Sequence, residues 1–146
     1  TNNEIWFNYR ICDESINKVI KLIYEVVHDE KYSAFRDTND KKLEIILHID
    51  SPGGCIKSIF KFIDFIHLIK KRNIRLRTII NGCAASAATL MAIVGDEREI
   101  TAHSYAMIHE LSSAVHGKYT QIKSIKNDTE YFSKYYYAKF KWGKIY

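Results

Sequence analysis

Serine is a poor nucleophile at neutral pH. It attacks an acyl carbon only when a base takes its proton and N–H donors wait for the oxyanion that forms. Three stretches of this chain carry those parts. Gly82-Cys83-Ala84-Ala85-Ser86-Ala87-Ala88 sets one hydroxyl among small residues that let two backbones approach closely. Tyr105 to Ile108 reads as a strand ending at His109, and histidine is the usual base beside a nucleophilic serine. Ser51-Pro52-Gly53-Gly54 breaks an apolar run and leaves backbone amides unobstructed. Taken singly, each stretch also fits a plain structural role: close packing around Ser86, a strand-end histidine, a turn at Pro52. Together, in this order, they describe acyl transfer with Ser86 as nucleophile and His109 as base.

The elements that must position these residues follow from apolar spacing. Glu4 to Ile11 reads as a strand, and from Ser15 the positions Ile16, Val19, Ile20, Ile23, Val26 and Val27 keep helical spacing. Asp37 to Lys42 is a charged loop. Leu43 to Ile49 is almost continuously apolar, as expected of a parallel strand covered on both faces. After the Pro-Gly-Gly turn a second amphipathic helix runs through Ile56, Ile59, Phe60, Ile63 and Ile66. Ile74 to Ile80 is the next strand and Ser86 to Val94 its helix, so Ser86 falls at a helix N-terminus, where unpaired N–H groups favour negative charge. The alternation βαβαβ calls for an α/β fold with right-handed crossovers, and in a parallel sheet the strand ends gather along one edge. From Tyr119 to Phe140 a narrow apolar seam predicts one long helix that meets a partner helix.

Composition narrows the class. With 146 residues, 47% of them apolar, one proline and six glycines, a single domain over residues 1–146 is expected. The net charge of +5 is spread among 17 acidic residues, which reads as a solvated surface and gives no nucleic-acid patch. Cys12, Cys55 and Cys83 form no CxxC pair, so they fit a reducing compartment and are expected to be packing residues. No apolar run reaches the roughly 18 residues of a membrane span, so no membrane partner is expected. His109-Glu110 lacks the i+4 histidine of a zinc signature, since the next one is His116; no metal and no cofactor are expected. The chain opens on Thr1, which leaves room for a removed leader.

Three of these stretches resemble the proteolytic subunit of Clp protease (ClpP), a family of barrel-forming serine peptidases. Ile49-Asp50-Ser51-Pro52-Gly53-Gly54 is similar to that family's INSPGG turn, Gly82-Cys83-Ala84-Ala85-Ser86-Ala87 to its GxAASM segment, and Met107-Ile108-His109-Glu110 to its MIHQ segment. The likeness runs from about Glu4 to Phe140. It implies a ClpP/crotonase-like fold of repeated βαβ units with a long protruding handle helix that joins two rings. It implies Ser86 and His109 as catalytic residues and the amides of Gly54 and Ala87 as oxyanion hole. The peptide would lie along Gly53 to Ile56 and Leu111 to Val115 by strand addition, with Gly53, Cys55, Ile56 and Leu111 as substrate-binding residues.

The resemblance also implies an ATP-dependent endopeptidase in the cytoplasm or an organelle stroma or matrix. Its partners would be a peptide or unfolded protein substrate, a homo- or hetero-oligomeric ring, and an AAA+ ATPase unfoldase that supplies the ATP chemistry, since no P-loop occurs here. The chain departs from the family pattern at Asp50 for Asn, Ala87 for Met, Ala102 for Pro, Glu110 for Gln and Leu111 for Pro. The family's triad aspartate falls after the handle, beyond Tyr146, so the chain is expected to lack the C-terminal end of that domain; neither Asp96 nor Asp128 is expected to replace it. Losing such a carboxylate can cost on the order of 10⁴ in rate. The rival readings are a non-catalytic paralogue with a structural or regulatory role, a phage-type capsid maturation protease of the same class, and an acyl-CoA enzyme of the crotonase superfamily.

Overall fold

Alternating burial along the strands and three-four spacing along the helices divide this chain into a sheet and a layer of helices. The structure, a computed structural model, describes residues 3–32 and 42–108. Its elements are β1 (Glu4–Phe7), α1 (Asp13–His28), a 3-10 turn (Glu30–Tyr32), β2 (Leu43–Ser51), α2 (Ile56–Lys70), β3 (Ile74–Ala85), α3 (Ala87–Ile93), β4 (Glu97–Ile100) and β5 (Tyr105–Met107). All five strands are parallel, in the order β1-β2-β3-β4, with β5 also on β3. Mixed α/β architecture with a parallel sheet is therefore observed. The handle expected from Tyr119 to Phe140 lies outside the described residues.

One face of β1, β2 and the first half of β3 is buried. Leu43, Ile45, Leu47 and Ile49 of β2 and Ile74, Leu76 and Ile80 of β3 meet Ile16, Val19, Ile23 and Val27 of α1 and Ile59, Phe62, Ile66 and Ile69 of α2. Burying one such aliphatic side chain contributes roughly 1.5–3 kcal/mol. The opposite face, which sequence alone assigns to a second covering layer, is half-exposed among the described residues. It carries Glu44, Ile46 and His48 on β2 and Arg75, Arg77 and Ile79 on β3, and it is bridged by Arg75–Glu97 and Arg77–Glu99 ion pairs. The near-continuous apolar run in β2 thus feeds one deep core face and one mixed face, where Trp6 stacks on His48 with ring centroids 3.9 Å apart.

Helix starts are set by local chemistry. At α1 the Ser15 hydroxyl accepts the Cys12 N–H at 3.0 Å and donates to Arg10 O at 2.7 Å, while Asp13 and Glu14 complement the helix dipole. At α2 the Ser58 hydroxyl donates to Asp13 Oδ1 at 2.7 Å and ties the two helix N-termini together. Both helices therefore begin at the same edge of the sheet, the one where the strands end.

β3 is longer than its apolar run. It does not stop at Ile80 but continues to Ala85 through an irregularity: Ile49 pairs with Ile80, yet Ser51 pairs with Ala84. Extra residues on one strand bend it and re-aim the side chains beyond the bend. Before the irregularity β3 pairs with β4 through Arg77–Ile80; after it, Cys83–Ala85 pair with Tyr105–Met107 of β5. The bend therefore decides which strand lies beside the serine.

Candidate active site

Ser86 sits where β3 turns into α3. Its backbone is at φ 54, ψ −125, a region that side chains other than glycine rarely occupy, and among the described residues only Asn73 shares a positive φ without being glycine. Such a residue costs on the order of 1–3 kcal/mol and persists only where its surroundings over-determine it. They do so here. Ser86 N–H donates to Met107 O at 2.8 Å, and Ser86 O accepts from Thr89 N–H at 3.0 Å and Thr89 Oγ1 at 2.6 Å. Its hydroxyl does not cap its own helix. A sharp strand-to-helix turn of this kind lifts a side chain clear of the sheet edge.

The diglycine turn lies directly against it. Ser51, fully buried at the end of β2, donates its hydroxyl to Tyr9 O at 2.7 Å and accepts Gly53 N–H at 3.2 Å, which folds the turn back on itself. Gly53 is at φ +90, and a Cβ there would overlap Ala85 O and sit 2.9 Å from Ser86 Cβ and 3.2 Å from Ala87 N. Only glycine allows that approach. The bridge from the turn to Ile11 uses Gly53 O and Cys55 N, so the Gly54 amide is turned away from that strand. Ala87 is the first residue of α3, so its N–H has no carbonyl within the helix to pair with.

Asp50 and Gly82 hold the bend in β3. The Asp50 carboxylate accepts Cys83 N–H at 2.9 Å, and a Cβ on Gly82 would come within 2.5 Å of Asp50 Oδ1. On the other side Gly82 N–H donates to Ser104 Oγ at 2.6 Å. The Tyr105 phenol is held above its ordinary value by its hydrogen bond with Cys83, with Asp50 adding repulsion. In the sequence Asp50 is only a departure from Asn. Its role as an acceptor for a bent strand becomes visible once Gly82 is seen beside it.

Of the residues singled out in the sequence, the structure brings Gly53, Ser86 and Ala87 into contact and sets Gly54, Cys55 and Ile56 on the same turn. His109 and Leu111 lie outside the described residues. The strand leading to His109 is described, however, and its register pairs Ala85 with Met107. Asp96 is remote from this edge. Its carboxylate accepts Leu76 N–H at 2.8 Å and meets Lys70 Nζ at 2.9 Å near the start of β3. Burial works to raise its pKa, but those two hydrogen bonds and the Lys70 charge outweigh burial and leave it below the ordinary carboxylate value. Packing is the wrong reading for Cys12 and Cys55. Cys12 and Cys55 are exposed and Cys83 is half-buried, because the first two cap helices at the sheet edge instead of facing the core.

A parallel sheet whose carboxyl edge gathers a serine in a strained turn, a helix start and a glycine backbone defines an α/β protein with its candidate site at the strand ends. The Clp protease family model matches residues 8–137, and the chain belongs to that family. It is 28% identical over 123 residues to the "ATP-dependent Clp protease proteolytic subunit" of Ligilactobacillus salivarius, covering 79% of this chain and 61% of that protein. It is also 28% identical over 124 residues to "ATP-dependent Clp protease proteolytic subunit 1" of Bacillus cereus, covering 80% and 63%. The chain thus spans about six tenths of the length of these relatives. No helix among the described residues is long and apolar enough to cross a membrane.

Proposed function

We propose that this chain is the proteolytic subunit of an ATP-dependent, Clp-type serine endopeptidase, with Ser86 as nucleophile, His109 as general base and the amides of Gly54 and Ala87 as oxyanion hole. The observation that carries the reading is a register. β3 and β5 run parallel up to Ala85 and Met107, one residue before Ser86 and two before His109, and Ser86 N–H is bonded to Met107 O. Neighbouring strands lie about 4.8 Å apart, so the strand that leads towards His109 in sequence runs beside the strand that ends at Ser86. The Gly53 backbone against Ser86 and Ala87 supports the second half of the reading, since Gly54 follows Gly53 in the same turn.

In this mechanism Ser86 Oγ attacks the peptide carbonyl as His109 takes its proton. The oxygen that gains charge is met by the two amides, which are positioned before the reaction begins. His109 then returns the proton to the leaving amine, and water, activated by the same imidazole, hydrolyses the acyl-enzyme. Gly53, Cys55, Ile56 and Leu111 would flank the substrate, which would bind as an extended, unfolded peptide. Folded substrates would then need an AAA+ unfoldase, and an oligomeric ring would enclose the sites. The proposed setting is the cytoplasm or an organelle stroma or matrix.

The test is hydrolysis of a fluorogenic peptide by the full-length, assembled protein. Ser86→Ala should lower kcat by about 10⁴-fold or more, and His109→Ala by a similar factor. Assembly by size-exclusion chromatography should be unchanged. An assembled wild-type protein with no turnover above the Ser86→Ala level would favour a non-catalytic paralogue.

A further inference from the structure

The fold brings together two cysteines that the proposed chemistry does not use as nucleophiles. Ile11 and Gly54 form a parallel bridge in which Ile11 N–H donates to Gly53 O and Cys55 N–H donates to Ile11 O, both at 2.8 Å. One step along that register stand Cys12 and Cys55, each still extended, at φ −149, ψ 172 and φ −69, ψ 118. Facing residues of a parallel pair project to the same side of it, about 4.8 Å apart. That spacing falls inside the roughly 4.4–6.8 Å Cα separation a disulfide spans. The two residues are the N-caps of α1 and α2, whose first turns are joined by the Ser58–Asp13 bond, and both are exposed.

The thiols are also chemically poised. The Ser15 backbone N–H and then its hydroxyl hold the Cys12 thiol below its ordinary value, and the Ser58 hydroxyl and then its backbone N–H do the same for Cys55. Thiolate is the form that attacks a disulfide. Cys83 stands apart on β3, beyond the bend and paired with Tyr105.

We propose that Cys12 and Cys55 are a redox-active dithiol at the base of the diglycine turn, closed to an intramolecular disulfide by a small-molecule disulfide such as oxidised glutathione. One thiolate attacks a sulfur of the oxidant, forms a mixed disulfide and expels one glutathione thiolate. The neighbouring thiolate attacks the protein sulfur of that mixed disulfide, forms the Cys12–Cys55 bond and releases the second glutathione. The protein loses two electrons and two protons, and the oxidant is reduced to two thiols. Closure takes the two thiols away from the Ser15 and Ser58 groups that hold them. It clamps the entry to α1 onto the turn that carries Gly53 and Gly54, and it does not depend on Ser86 being a nucleophile.

The experiment incubates the full chain in buffers of graded reduced-to-oxidised glutathione ratio, quenches with N-ethylmaleimide, and reads intact mass and non-reducing peptide maps. The expected product lacks two hydrogens per chain, joins the Cys12 peptide to the Cys55 peptide and leaves Cys83 alkylated. Cys12→Ser and Cys55→Ser should each abolish the joined peptide and leave a glutathione adduct on the remaining partner, whereas Cys83→Ser should not change the joined peptide. Alkylation of all three cysteines at every ratio would overturn the proposal. So would glutathione adducts on both residues without a joined peptide, or a linkage that includes Cys83.

Discussion

The two halves of β3 are built on different terms. From Ile74 to Ile80 the strand pairs residue for residue with β2, buries alternate side chains beneath the helices, and carries its charges in pairs on the other face. From Asn81 to Ala85 the register slips, Gly82 takes φ +127, a carboxylate stands in for a ladder partner, and the chain ends on a serine at φ 54. The first half is held by many interchangeable contacts. The second is held by a short pairing with β5 and by a few individual groups such as Asp50 and Ser104. Strain is tolerable at the carboxyl end because the amino end leaves the strand no freedom to relax it.

Substitutions at the two ends should therefore fail in different ways. The largest effect is expected at Gly53→Ala, where the new Cβ meets Ala85 O, Ser86 and Ala87 at a positive φ. It should lose about 3–4 kcal/mol in urea titration and at least ~10²-fold in peptide turnover, since small displacements at a reacting group are costly. Wild-type stability and turnover in that variant would mean the turn does not lie against Ser86. Next comes Leu76→Ala in the regular half, a fully buried side chain whose loss should cost about 3 kcal/mol while turnover per folded chain is unchanged. A fall in kcat as large as that of Gly53→Ala would erase the distinction between the halves.

Asp50→Ala should remove about 1 kcal/mol and lower turnover several-fold by releasing Cys83 N–H, and Asp50→Asn, which keeps an acceptor oxygen, should restore both. Asp96 offers a smaller effect, read as pH dependence. Its folded pKa lies below the unfolded value near 4, so its contribution is present above that pH and is lost as pH falls through the folded value. Asp96→Asn should flatten the acid limb of the stability curve. Smallest is Arg75→Ala on the half-exposed face, expected to stay within about 0.5 kcal/mol because the Arg75–Glu97 pair is wet.

The same division explains what could be read from residue order. Helical spacing of Ile16, Val19, Ile23 and Val27, and the apolar run at Leu43–Ile49, announce elements that burial then fixes, so α1, α2 and the centre of the sheet were legible. Glu97-Arg98-Glu99-Ile100 was not, since alternating charges give no strand signal and the segment is a strand only because β3 pairs with it. β1 ends at Phe7 and not at Ile11 because the chain leaves β2 there, and Ile11 makes a lone bridge to Gly54 instead. Gly82 and its small neighbours read as the end of β3 when they are its bend. The Ser86 motif was legible as a pattern of residue types. Its positive φ and its bond to Met107 were not, because both are imposed by strands distant in sequence.

The central claim is that Ser86 is an activated nucleophile served by His109. Fluorophosphonate labelling of the full-length, assembled protein, followed by peptide mapping, tests it most directly. The account predicts a single adduct on the Ser86 peptide, lost in Ser86→Ala and slowed by orders of magnitude in His109→Ala. Labelling at another residue, or labelling of Ser86 at the same rate without His109, would contradict it.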